Sequence, residues 1–270
     1  MQVEAYAKIN WSLRITGKRA DGFHDLETLF QTISLHDTLT FRESDCLTLT
    51  CDDPSIPTDE TNLVLRAARA LGAPPVAIEL QKRIPAGGGL GGGSSNAAAT
   101  LVTLSRMFGI DADLESLALS LGSDVPFFLV GGTAYATGRG EVLTPVAPLA
   151  DTPLPLLLLL PDERVLTRDA FARITRYSEP IGRDDHASFA DFTNDFEEPV
   201  FALLPRLRAL KTRLLDAGAT WAQMSGSGST MVGAFADANA RDEAAARFDD
   251  VRAVRAETVD ARGVLPASPR

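Results

Sequence analysis

Six glycines fall within the seven positions from Gly87 to Gly93, and Leu90 alone interrupts them. The stretch reads PAGGGLGGGSSNAAAT from Pro85 to Thr100, so the glycines run directly into Ser94, Ser95, Asn96 and a run of alanines. Upstream, PVAIELQKRIP predicts a strand from Val76 to Ile84. Downstream, SNAAATLVTLSRM predicts a helix from Ser95 to Met107. Glycine permits positive φ and close backbone approach. The first amides of a helix have no partner within it and sit at the positive end of its dipole. A strand, a glycine turn and a helix in that order therefore describe a phosphate cradle, with Ser94, Ser95 and Asn96 as added side-chain donors. The plain alternatives are a tight crossing of helix on strand and a flexible loop, and the alanine helix directly behind the glycines disfavours the loop.

The spacing narrows the type of cradle. A Walker A loop needs Gly-Lys followed by Ser or Thr, and no lysine follows these glycines. Gly87, Gly89 and Gly92 do satisfy G-x-G-x-x-G, which keeps a dinucleotide fold open. That fold wants an acid about 20 residues on, at the end of a second strand. Asp111 and Asp113 instead open the helical pattern DADLESLALSLG, which counts against NAD or FAD.

The remaining chain is an ordinary globular one. Its 270 residues suit one large domain or two of common size, and 45% are hydrophobic against 23% charged. A net charge of −10 argues against a broad nucleic-acid face, although a few cations gathered in one cleft would still serve a phosphorylated ligand. The longest apolar run, PLPLLLLLP, is too short to span a bilayer and predicts a buried strand. The N-terminus lacks a signal-peptide pattern, and Cys46 and Cys51 have the wrong strand parity for a mutual disulfide. The expectation is a cytoplasmic protein without membrane association or a resident metal. Strand runs and helix runs are mixed without regular alternation, so the fold class is α+β. The Pro-dotted stretch TPVAPLADTPLP marks a boundary between residues 1–150 and 151–270.

Three segments, in order, carry a resemblance. PAGGGLGGGSSNAAA resembles the second motif of the GHMP kinases, which phosphorylate small-molecule alcohols with ATP. AYAKINWSL near the start and MSGSGSTMVGAF near the end resemble the first and third motifs, so the likeness covers nearly the whole chain. It implies a two-domain fold with the active site in the cleft between the domains. RADGFHDLETLFQTISLHD and DVPFFLVGGTAYATGRGE are similar to one branch of that family. That branch phosphorylates the 2-hydroxyl of 4-diphosphocytidyl-2-C-methyl-D-erythritol, on the non-mevalonate isoprenoid route. The partner implied is thus a small molecule bearing a cytidine diphosphate group. Two residues depart from the branch pattern: Phe23 stands where Tyr is common, and Gly88 where Ala is common.

The resemblance also assigns roles. Asp124, which spacing alone would read as a turn or capping acid, becomes the catalytic base. Lys8, otherwise a solvated strand lysine, becomes the cation that offsets charge in the transition state. Pro85, Gly87, Gly88, Gly89, Leu90, Gly91, Gly92, Gly93, Ser94, Ser95 and Asn96 would hold ATP, with Asn62 near its base. Asn10, two residues beyond Lys8 on the same strand face, would reach substrate hydroxyls. Phe23 would stack on the cytosine, with hydrogen bonds near His24 and with Phe171 closing a sandwich. Gly226, Ser227 and Gly228 would line the opposite side of the cleft. Mg²⁺ is expected to arrive with ATP. A homoserine or mevalonate type of GHMP kinase, and a non-catalytic ligand-binding protein on the same fold, are the competing readings.

Overall fold

The computed structural model describes residues 1–180, 182 and 191–260. Two long strands begin the chain, β1 (Gln2–Lys18) and β2 (His24–Glu43), joined by a hairpin. β3 (Thr48–Cys51), α1 (Leu63–Leu71) and β4 (Val76–Gln81) follow, then α2 (Gly92–Phe108), α3 (Leu114–Leu121) and α4 (Val125–Val130). β5 (Thr133–Thr137) and β6 (Val142–Pro145) complete the first sheet. Its order is β3-β4-β2-β5-β6, with β1 pairing β2 off that path; the β3-β4 pair is parallel and the others are antiparallel.

The second half opens on β7 (Pro155–Leu160), the leucine strand expected from the apolar run. α5 (Thr167–Phe171), α6 (Glu197–Leu203), α7 (Pro205–Asp216), β8 (Trp221–Met224), β9 (Met231–Ala234), α8 (Ala238–Ala245) and β10 (Arg252–Glu257) come after it. These strands form an antiparallel sheet in the order β10-β7-β9-β8. Mixed helices and two sheets agree with the α+β expectation.

β1 holds the halves together. Its Ala7, Ile9 and Trp11 point into a core shared with Leu156, Leu158, Trp221 and Val232 of the second sheet. The Trp11 and Trp221 rings are 4.7 Å apart. Further along, Leu13 and Ile15 join the core beneath α6 and α7. Because side chains alternate along a strand, Lys8 and Asn10 are left on the opposite face, where they line a cleft.

The sequence misplaces two element ends around the glycines. β4 stops at Gln81, three residues short of the expected Ile84. The amides of Arg83 and Ile84 instead donate to the buried Asp37 carboxylate, at 2.7 and 2.9 Å, so a side chain replaces the sheet ladder. α2 begins at Gly92, three residues before the expected Ser95. Glycine lowers helix propensity, which hid this first turn. Tertiary packing sets it: α2 is buried on nearly every side, and its small Ala97, Ala98 and Ala99 let it lie against β1, α1 and α4.

Candidate functional site

A cleft of about 780 Å³ is lined by residues of β1, β2, the glycine loop, the first turn of α2, Asp124, α5 and the β8–β9 turn. The loop is pinned in place. Leu90 is buried, and its carbonyl accepts from the Lys8 amide at 3.0 Å. Ser225 Oγ donates to the Gly89 carbonyl at 2.9 Å. Gly89 has φ +78°, and a Cβ there would lie 2.0 Å from the Ser225 carbonyl oxygen. At Gly91, with φ +70°, a Cβ would lie 2.6 Å from the Phe128 ring. These two glycines therefore permit close backbone crossings that no side chain would allow.

Gly91 caps α2, and the Ser95 amide closes on the Gly91 carbonyl at 2.8 Å. Helix geometry leaves the amides of Gly92, Gly93 and Ser94 without a partner inside the helix. All three residues line the cleft. They present those amides at a helix start facing the cleft, an arrangement that suits an anion.

Other members of the expected cradle lie elsewhere. Ser95 is fully buried and donates to the Tyr6 carbonyl at 2.7 Å, tying α2 to β1. Asn96 is buried and is not among the cleft-lining residues. Asn62 caps α1: its Oδ1 accepts from the Val64 amide at 2.9 Å, and its Nδ2 donates to the Pro57 carbonyl at 2.6 Å. With both ends of its amide engaged, Asn62 is outside the cleft lining. Helical periodicity explains Ser95: one position past Ser94, it turns about 100° around α2 and away from the cleft.

Asp124 precedes α4, whose Pro126, Phe127 and Phe128 are buried and anchor the short helix. Its carboxylate makes no capping bond. It faces the cleft with 39% of its side chain exposed, and Oδ2 lies 3.6 Å from Lys8 Nζ. Lys8 is nearly completely buried. Burial pushes its pKa down, and the Asp124 carboxylate opposes that shift. Lys8 Nζ also donates to Asn10 Oδ1 at 2.8 Å and lies 5.2 Å from the Phe30 ring centroid. Asn10 Nδ2 donates to Thr28 Oγ1 at 2.7 Å. The Asn10 amide thus aims the lysine, and the second N–H of its Nδ2 and a second lone pair on its Oδ1 are left for the expected contact to a substrate hydroxyl.

At the other end of the cleft, Phe23 projects from the β1–β2 hairpin and is half exposed. The Arg139 guanidinium lies over its ring, 4.7 Å from the centroid. His24 stacks on Phe171, 4.8 Å apart and 15° from parallel. Phe171 also meets Phe196 edge-on. Phe171 therefore lines the same cleft as Phe23, with His24 stacked on it and Phe196, the residue before α6, edge-on beside it. Burial and the neighbouring Lys18 hold His24 below its ordinary pKa, which favours the neutral ring.

The β8–β9 turn brings Gly226 and Ser227 to the cleft. Ser227 Oγ is 3.0 Å from Thr167 Oγ1, which links the turn to α5. Gly228 faces the other way: a Cβ there would lie 2.7 Å from Met224 Sδ. Asn194 secures the turn from behind, donating to the carbonyls of Met224 and Gly226 at 2.7 and 2.8 Å.

Sequence reasoning passed over Lys18, Arg139, Thr167 and Arg168, which also line the cleft. Their signal was faint, since polar residues in turns are normally solvated. Among the described residues, the lining holds four cations, Lys8, Lys18, Arg139 and Arg168, against one carboxylate, Asp124, in a chain of net charge −10. Such a balance favours an anionic ligand. Among the described residues no cluster of three or more His, Cys, Asp or Glu side chains could hold a metal ion.

Comparison with known proteins agrees with this geometry. Residues 62–132 match the model of the GHMP kinases N terminal domain, and residues 178–252 match that of the GHMP kinases C terminal. A 4-diphosphocytidyl-2-C-methyl-D-erythritol kinase from Chlorobium luteolum is 43% identical over 256 residues, covering 87% of this chain and 88% of the relative. A crystal structure of a 4-(cytidine 5'-diphospho)-2C-methyl-D-erythritol kinase superposes with a TM-score of 0.85 at 34% identity, covering 97% of this chain and all of that one. Homoserine kinase from Cytophaga hutchinsonii has a TM-score of 0.67 at 20% identity, over 97% of this chain and 96% of that one, a likeness of fold alone. At such identity over most of both chains, this protein belongs to the GHMP kinases, in the family of the 4-diphosphocytidyl-2-C-methyl-D-erythritol kinases.

Proposed function

We propose that the protein transfers the γ-phosphoryl group of ATP to the 2-hydroxyl of 4-diphosphocytidyl-2-C-methyl-D-erythritol. The observation that carries this reading is the Lys8–Asp124 pair, 3.6 Å apart in the same cleft as the free amide end of α2. Asp124 takes the proton of the substrate hydroxyl as that oxygen forms its bond to the γ-phosphorus. The bond from the γ-phosphorus to its bridging oxygen breaks, and ADP leaves. Lys8 offsets the negative charge spread over the transferring group, and the amides of Gly92, Gly93 and Ser94 hold the phosphates.

Mg²⁺ belongs with the nucleotide in this reading. Its favoured ligands are phosphate oxygens, one or two carboxylates and water. Asp124, the single carboxylate among the described cleft residues, fits a metal that comes already bound to ATP better than a resident ion. When bound, Mg²⁺ neutralises phosphate charge and favours transfer.

We divide the chain near residue 150, between the end of β6 at Pro145 and the start of β7 at Pro155. The first part carries the glycine loop, and the second supplies the β8–β9 turn and Phe171. We place the reaction in the cytoplasm. No helix among the described residues is long and apolar enough to cross a membrane, and Cys46 and Cys51 are free thiols.

The test is a substrate panel. Purified protein, ATP and Mg²⁺ are incubated with the cytidyl substrate, homoserine and mevalonate, and ADP release is followed. Turnover confined to the cytidyl substrate is expected. Turnover of homoserine or mevalonate with none of the cytidyl substrate overturns the reading.

A further inference from the structure

Phe23 is an exposed aromatic at the tip of a hairpin, a place where a ring normally has several orientations. Here one of its faces is taken. The Arg139 guanidinium lies 4.7 Å from the ring centroid. Arg139 is itself held, since Arg139 Nε lies 3.5 Å from Glu141 Oε1 and its amide donates to Glu141 Oε2. The side chains of Arg139 and Glu141 are 26% and 18% exposed, against 52% for Phe23. The holding pair is thus better buried than the ring it holds. On the hairpin side, Asp21 Oδ1 accepts from the Phe23 amide at 3.1 Å, and Arg19 Nε donates to Asp21. The hairpin backbone and the ring face are therefore fixed from two directions.

We propose that Arg139 is a positioning residue for base recognition: anchored by Glu141, it covers one face of Phe23 and presents the other to the cytosine of the substrate. This rests on the function proposed above. Phe23 has no hydroxyl with which to fix its own ring, and the guanidinium supplies that restraint by stacking. Arginine suits the task because it is planar and weakly hydrated, whereas lysine is a compact, strongly hydrated charge. A guanidinium–ring contact at a partly exposed site is worth about two- to five-fold in an equilibrium constant.

The test compares wild type with Arg139→Met, Arg139→Lys, Phe23→Leu and the Arg139→Met/Phe23→Leu double variant, by steady-state kinetics in both substrates. Circular dichroism melting confirms that each is folded. Arg139→Met and Arg139→Lys are both expected to raise KM for the cytidyl substrate about two- to five-fold, with kcat and KM for ATP little changed. The double variant is expected to be no worse than Phe23→Leu alone, because Arg139 acts through that ring. Additive losses, or full activity in Arg139→Lys, would mean that Arg139 binds the substrate's phosphates directly, and would overturn the proposal. The two readings separate at the first step. A wild type that does not turn over the cytidyl substrate overturns the functional reading and this one together, whereas wild-type turnover with additive losses overturns this one alone.

Discussion

Lys8 Nζ and Asp124 Oδ2 lie 3.6 Å apart, yet the lysine is buried and the aspartate side chain is 39% exposed. The pair is built from two elements far apart in the sequence. Lys8 comes from β1, paired with β2, and Asp124 from the start of a short helix anchored by Phe127 and Phe128. An ion pair arranged this way keeps one partner fixed and leaves the other open to substrate.

Lys8 is expected to set an alkaline limit on activity. Burial pushes its pKa below 10.5, so it loses its charge at a lower pH than a free lysine. As pH rises through that value, kcat/KM should fall. Stability should move the other way. Over the same window the unfolded chain binds more protons than the folded one, so unfolding free energy rises with pH. Lys8→Met is expected to cut kcat by about 10²- to 10³-fold, with little loss of melting temperature. Paired pH profiles of kcat/KM and of urea unfolding check both signs.

The glycine loop gives a graded series. Gly87 and Gly89 both have positive φ, but a Cβ at Gly87 meets nothing within 4 Å, while one at Gly89 lies 2.0 Å from the Ser225 carbonyl oxygen. Gly87→Ala should cost only the left-handed conformation, roughly 1–2 kcal/mol. Gly89→Ala must also push the loop away from the β8–β9 turn. Its KM for ATP is expected to rise well beyond that of Gly87→Ala, and its melting temperature to fall further. Thermal unfolding with and without ATP distinguishes the two.

Asn194 supports the cleft from behind. Asn194→Ala removes donors to two carbonyls of the β8–β9 turn and leaves them buried. The expected cost is about 1–3 kcal/mol in chemical unfolding. KM for the cytidyl substrate should rise with it, since Gly226 and Ser227 lose their backing.

The phosphate end of this site is legible in the sequence and the substrate end is partly hidden, for a physical reason. Glycines, a helix start and strand parity are local features. They suffice to set the glycines against a helix start and to put Lys8 and Asn10 on one strand face. Who partners whom is not local. Asn62 and Ser95 have donors and acceptors that would serve a ligand, but α1 and β1 use them. Phe171 has a ring that would serve a base, and at the cleft His24 and Phe196 pack against it. Arg139 sits in an ordinary turn, and only the hairpin's approach brings it over Phe23. The two displaced element ends, at Gln81 and Gly92, have the same origin. Asp37, distant in sequence, replaces the ladder at one, and packing overrides glycine's low propensity at the other.

The most direct measurement is the turnover number of Asp124→Asn beside its affinity for ATP. Replacing the carboxylate with an amide keeps the shape and removes the base. With the cytidyl substrate, ATP and Mg²⁺ at saturation, kcat is expected to fall by about 10²- to 10⁴-fold, while the Kd for ATP by calorimetry stays within about three-fold, a change worth less than about 1 kcal/mol. A variant that turns over at a rate close to wild type would remove Asp124 as the base and with it the role given to the Lys8–Asp124 pair.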